Sequence, residues 1–329
     1  MSDLIIMRKP SRRTRQMDRS PQKLRQTIIK LITSIIPVLG ICYVLFQFVQ
    51  SDSMDFFRIH WKSLIVTVTI SALIYSFCNY ILSFAWMQLI QIFGSRRLSF
   101  QTALALYGRS QIAKYIPGNI IHLTTRHLMG VELGLDNLAL LGAMIYEMLG
   151  MIFVASGMTL IGLIAGIKIE QLSVFFTATL FLGTLLFPFI IQNQKIIKLF
   201  ERSIPFPKIF IKCSFRKIIV LLFFYLFFFI ISGLSISLLA RTIASNSINS
   251  ITMIIIFTLS WLVGLVTPGA PAGFGVRETV MILLVTPLIG ENGALAIALT
   301  SRMVTVLGDI FFFIQSLFYK AKSQKNINV

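Results

Sequence analysis

Polar positions along this chain are rare and come in blocks, separated by long apolar runs. Uninterrupted runs occupy residues 27–49, 61–93, 136–166, 172–191, 218–240 and 293–319. About 20 apolar residues form one bilayer-crossing helix, so each of these is a predicted span. Two further stretches, 98–130 and 251–289, are apolar at their ends and interrupted in the middle. The predicted fold is therefore all-α, a polytopic transmembrane helical bundle.

The later interruption reads Thr267-Pro268-Gly269-Ala270-Pro271-Ala272-Gly273-Phe274-Gly275-Val276-Arg277-Glu278. Proline lacks the amide donor and glycine costs backbone entropy, so Pro268, Gly269, Pro271, Gly273 and Gly275 end the helix that precedes them. The earlier interruption runs from Arg109 through Lys114-Tyr115-Ile116-Pro117-Gly118-Asn119 to His122, Arg126 and His127. Pro117-Gly118 breaks it in the same way. Irregular backbone survives at membrane depth only where protein or a water-filled cavity satisfies its polar groups. Both stretches are thus predicted to be broken helices facing a polar interior.

Two span counts put both termini on one side. If 251–266 and 279–289 cross separately, there are eight crossings. If each interrupted stretch is a re-entrant hairpin, there are six crossings and two hairpins. The 11 residues of 279–289 fall short of a span, which favours the hairpin. Residues 61–166 and 218–319 would then each be span, hairpin, span, with opposite orientations. Paired Gly/Pro interruptions at corresponding places in two halves point to a transporter site near the midplane.

Charge changes the picture by its placement. Of 329 residues, 56% are hydrophobic and 13% charged, with mean hydropathy +0.83, whereas soluble domains have about 25% charged residues. The net charge of +18 comes from clusters: nine Lys and Arg in residues 1–30, the pair Arg96-Arg97, seven in 195–217, and Lys320, Lys322 and Lys325. Such clustering in tails and alternate loops is the positive-inside pattern, so both termini are expected in the cytoplasm. Residues 1–26 read as a basic cytoplasmic tail, 27–320 as one transmembrane domain and 321–329 as a second cytoplasmic tail. No aromatic residues interleave with the basic tail, so nucleic acid is not expected as a partner. Cys42, Cys78 and Cys213 have no paired spacing and read as packed or idle thiols. The first apolar run has no small-residue cleavage site and is expected to remain as an anchor.

The chemistry-bearing side chains are Arg109, Lys114, Arg126, Arg277 and Arg302, with Glu147, Glu278 and Asp309 as their counterparts. Each costs about 2.5–3.5 kcal/mol at a helix centre on insertion scales, so pairing among them is expected. The excess of cations leaves room for an anion, and a phosphate fits because arginine binds it bidentately. Arg109, Lys114, Asn119, Arg126 and Arg277 are the expected substrate contacts. Glu147, Glu278, Arg302 and Asp309 would order these cations; a purely structural bridge is the alternative for the last two. Arg302 and Asp309 are seven residues apart and share a helix face, whereas the adjacent Arg277 and Glu278 point in different directions. His122 and Arg126 share a face at a spacing of four, while His122 and His127 do not. No metal-ligand cluster, phosphate-binding loop, dinucleotide fingerprint or nucleophilic triad occurs, so neither a metal nor a cofactor is expected.

The two interruptions in this order resemble the transmembrane region of lysylphosphatidylglycerol synthases and its stand-alone, flippase-like membrane relatives. The likeness is carried by Arg109, Lys114 to Asn119, Arg126, Pro268-Gly269 and Gly273 to Glu278, with Glu147 and Arg302 at fitting spacing, and covers residues 25–320. Ile121 stands where the family often has tryptophan, and Ala270-Pro271-Ala272 departs from its usual Pro-Gly-Gly-x-Gly. The resemblance implies lipid handling in a bacterial cytoplasmic membrane: a flippase-like, non-enzymatic transporter of an anionic phospholipid or a polyprenyl-phosphate-linked saccharide. The cytosolic domain that transfers lysine from tRNA in the synthases has no counterpart in these residues. A different class of function is a membrane scaffold or regulator of a cell-envelope glycolipid or polysaccharide pathway, recruiting a cytosolic glycosyltransferase through 1–26 and 195–217. A membrane-embedded transferase using Glu147 or Glu278 as base is a third.

Overall fold

The computed structural model describes residues 53–94, 98–116, 121–164, 166, 177–182, 184–185, 215–244, 248–267 and 270–320, with side chains from Trp61 onward. The predicted spans 27–49 and most of 172–191, the basic stretches 1–26 and 195–214, and the tail 321–329 lie outside the described residues. So do Pro117, Gly118, Asn119, Pro268 and Gly269.

Helix α1 spans Ser53–Phe93, α2 Phe100–Gln111, α3 Ile121–Glu132 and α4 Asn137–Ile164. Then follow α5 over Phe215–Ala244, α6 over Ser250–Val266 and α7 over Val276–Leu317. Short 3-10 turns at Ile112–Tyr115 and Pro271–Gly273 stand at the two interruptions. No strand occurs among the described residues. Among the described residues four helices are long and apolar enough to cross a membrane. The protein is a helical bundle of membrane type.

The interrupted stretches form half-length helices, as their Gly/Pro content predicts. Ser99 caps α2, its side chain accepting from the Thr102 amide, and Asn249 caps α6, accepting from Ile251. Helix α7 is two helices joined at Gly290, whose backbone (φ 80°, ψ 171°) is open to glycine alone, just after Pro287. Its first part therefore stays short and packs on α6, and its second part runs the length of a span. The order long helix, two half-length helices, long helix occurs in α1–α4 and again in α5–α7. The helix neighbours correspond too: α2 packs on the second part of α7, and α6 packs on α4.

The bundle is apolar outside, and its largely apolar interior also encloses polar side chains. On α1, Ile65, Ile70, Leu73 and Phe77 are exposed, while Ser71, Asn79 and Ser83 are buried. In water this arrangement would leave large apolar area uncovered; in lipid it places polar groups where partners exist. Close backbone approach sets the register. A Cβ on Gly308 would stand 2.8 Å from the Ala72 carbonyl oxygen, so only glycine lets α7 lie against α1 there. That contact brings Asp309, next in sequence, up to Asn79.

Candidate functional site

The two interruptions meet in the middle of the bundle. The ring of Tyr115, ending the first 3-10 turn, lies 6.1 Å from that of Phe274, beside the second. A cavity opens next to this meeting point, lined by Tyr75 and Asn79 of α1, Tyr107 and Gln111 of α2, Lys114, His122 and Arg126, Glu147 of α4, and Trp261 and Arg277. A second, smaller cavity adjoins it, lined by Ser260, Trp261, Arg277, Glu278, Ser301, Arg302 and Thr305. Trp261 and Arg277 line both.

Three ion pairs bind the buried charges. Lys114 Nζ lies 2.6 Å from Asp309 Oδ2. The Tyr115 hydroxyl donates to the same oxygen at 2.5 Å, Asn79 Nδ2 donates to Oδ1 at 3.3 Å, and Gln111 donates to Asn79 at 3.3 Å. This network joins the first interruption to α1 and α7. Arg126 is 1% exposed; it bonds Glu147 Oε2 at 2.8 Å and Ser110 Oγ at 3.2 Å, and its guanidinium carbon stands 3.6 Å from the Tyr107 ring centroid. The Tyr107 hydroxyl donates to the other Glu147 oxygen at 2.6 Å. The third pair is looser. Arg302 Nε lies 3.3 Å from Glu278 Oε1, close enough for charge attraction but not aligned as a hydrogen bond. Arg302 instead donates to the Ala272 carbonyl at 3.1 Å and covers the Phe274 ring at 3.6 Å. It thereby holds the second interruption where the backbone is least ordinary, since Ala272 has φ 49°, a left-handed conformation that costs an alanine about 1–2 kcal/mol.

Arg277 is different. Its guanidinium carbon lies 5.4 Å from the Trp261 ring centroid, its Nε has no hydrogen-bond partner, and no carboxylate pairs with it among the described residues. Around the two cavities stand Lys114, Arg126, Arg277 and Arg302 against Glu147, Glu278 and Asp309. Among the described residues one positive charge is left over there, and it is Arg277.

Two glycines make room for it. A Cβ on Gly264 of α6 would overlap the Arg277 stem, and one on Gly273 would stand 2.6 Å from Arg277 Nε. The stem is threaded between them. Gly264→Ala should therefore displace Arg277 without touching an ion pair, lowering activity several-fold more than the stability of the purified protein. Parallel thermal melts and activity assays of this variant check the expectation, and an unaltered activity would show that the arginine does not need its slot.

The structure thus brings together Lys114, Arg126, Arg277 and Glu147 around one cavity, with Asp309 behind Lys114 and the Glu278–Arg302 pair in the adjoining one. It does not bring in Arg109. That side chain ends α2 and donates to the Tyr319 carbonyl at 2.9 Å, a helix-terminus contact away from both cavities. Arg126 lines the cavity, but its charge is already matched. His122 and Arg126 both line the larger cavity, as their spacing predicts, and Arg277 and Glu278 diverge to different neighbours. Sequence reading passed over Tyr107, Trp261, Asn79, Gln111 and Gly264. A lone amide in an apolar run was the available signal for Asn79, because an unpartnered amide in lipid is costly. Among the described residues no cluster of metal-ligating side chains occurs. No family model and no curated protein matches the chain.

Proposed function

We propose that this chain is a flippase-like transporter that moves an anionic lipid, a phospholipid or a polyprenyl-phosphate-linked saccharide, between the leaflets of a bacterial cytoplasmic membrane, with both termini cytoplasmic. The observation that carries this reading is Arg277: an uncompensated guanidinium, threaded between two glycines, facing a cavity where two broken helices meet. A cation unmatched inside a membrane-type bundle is costly. An anionic ligand that visits the site would offset that cost, and arginine presents the fork that phosphate oxygens accept. The proposed site has Arg277 as its phosphate contact and Lys114 at its edge. The Arg126–Glu147 and Lys114–Asp309 pairs act as its walls. The resemblance of the two interruptions to flippase-like membrane proteins points the same way.

Group transfer with Glu147 as base is disfavoured, because both its oxygens accept hydrogen bonds and it faces Arg126. Glu278, the other carboxylate considered for that role, stands 3.3 Å from the Arg302 guanidinium, which favours its charged, charge-ordering role.

The test is leaflet exchange in proteoliposomes holding the purified full chain, with fluorescent phosphatidylglycerol and a polyprenyl-phosphate sugar as probes. Exchange of one of them well above protein-free vesicles is expected. Folded protein that exchanges neither overturns the proposal.

A further inference from the structure

Six buried polar atoms without hydrogen-bond partners belong to residues lining the smaller cavity. They are Ser260 Oγ, Arg277 Nε, both carboxylate oxygens of Glu278, and Arg302 Nε and Nη2. Buried polar groups are nearly always hydrogen-bonded, so a cluster of orphans on four lining residues marks a place shaped for something polar. Glu278 is the telling member. It is 5% exposed, sits in the first turn of α7, and faces a cavity with room for about one water-sized group, with neither oxygen bonded. Its partner Arg302 is attached elsewhere, to the Ala272 carbonyl and the Phe274 ring. A carboxylate with four lone-pair sites and no donor needs one.

We infer that the smaller cavity is a second subsite, in which Glu278 accepts a hydrogen bond from a hydroxyl or ammonium group of the ligand's head, next to the phosphate held by Arg277. This rests on the transporter reading and deepens it by naming the ligand class: a phosphodiester that carries a hydrogen-bond donor within a few atoms of its phosphorus. Acceptor oxygens of the ligand meet Arg277 Nε and Ser260 Oγ, and its donor meets Glu278. Arg277 and Glu278 are neighbours in sequence that diverge into adjoining spaces, so one headgroup reaches both. Glycerophospholipid heads and polyprenyl-phosphate sugars share this chemistry.

The experiment compares two matched pairs of probes in proteoliposomes of the full chain. Phosphatidylglycerol and phosphatidylmethanol have the same charge and differ in the glycerol hydroxyls. A polyprenyl-phosphate hexose and a polyprenyl methyl phosphate are both singly charged phosphodiesters and differ in the sugar hydroxyls. A site that leaves a buried acceptor unpaired discriminates against the donor-less ligand, so the hydroxyl-bearing member should exchange about tenfold faster in at least one pair. The pair showing this identifies the source of the headgroup. In Glu278→Met, which keeps the size and removes both acceptor oxygens, that ratio should fall toward one. Equal exchange within every transported pair of the wild type overturns the subsite and leaves the transporter standing, as it would if water alone filled the cavity. A ratio unchanged in folded Glu278→Met also overturns it. Should that variant fail to fold, the wild-type ratios decide. Absence of exchange in both pairs overturns the transporter reading itself.

Discussion

Arg277→Ala is expected to abolish leaflet exchange while leaving the thermal midpoint of the purified protein nearly unchanged. The opposing terms can be weighed. Truncation to alanine loses the packing of the Cγ and Cδ methylenes between Gly264 and Gly273, about 0.8 kcal/mol each, and the cation–π contact with Trp261, about 0.5–1 kcal/mol. It also removes an unmatched charge that costs about 2.5–3.5 kcal/mol at membrane depth. These nearly cancel. No carboxylate is stranded by the change, because all three pair with other cations. Loss of function without loss of stability is the pattern of a ligand-contacting residue that evolution keeps at a thermodynamic cost. Arg277→Lys keeps the charge and loses the fork, and should retain a small fraction of the activity. Exchange at the parental rate in Arg277→Ala would sink the assignment. A fall of many degrees in its midpoint would make Arg277 a structural residue.

Much of this architecture was legible in the sequence because local chemistry dictates it. Proline and glycine in an apolar run break a helix wherever it lies, and the cost of charge in lipid makes Lys114, Glu147, Arg277 and Asp309 stand out. Element ends follow from the same reasoning: residues 136–166 and 251–266 became Asn137–Ile164 and Ser250–Val266. The partners were not legible. Lys114 meets Asp309, and Arg126 meets Glu147, through helix packing that no local rule supplies. Tyr107 and Trp261 resemble any aromatic in an apolar run until an arginine stacks on them. Gly264 gains its meaning only from the stem it accommodates. Arg109 shows the converse. Grouped with the other cations on charge alone, it occupies the last turn of α2, where a cation belongs for the helix's own sake.

The second arginine of the larger cavity should behave in the opposite way. Arg126→Leu strands Glu147, which then keeps only the Tyr107 hydroxyl, and it orphans the stacking faces of Tyr107 and Trp86. Removing one partner of a buried ion pair typically costs about 3–5 kcal/mol, since the remaining charge is left without compensation. At roughly 2–4 °C per kcal/mol for a chain of this size class, the midpoint should fall by about 10 °C. Glu147→Leu should cost a similar amount. The double variant removes both charges and should recover most of the loss, because apolar replacements of similar volume often match a buried pair. Thermal melts of the two single variants and the double give the coupling directly. Two arginines on one cavity wall would then be separated by a stability measurement alone: the matched one holds the fold, and the unmatched one is free for a ligand. If Arg126→Leu and Arg277→Ala cost the same stability, or if the double variant recovers nothing, the distinction between matched and unmatched charge does not describe this site.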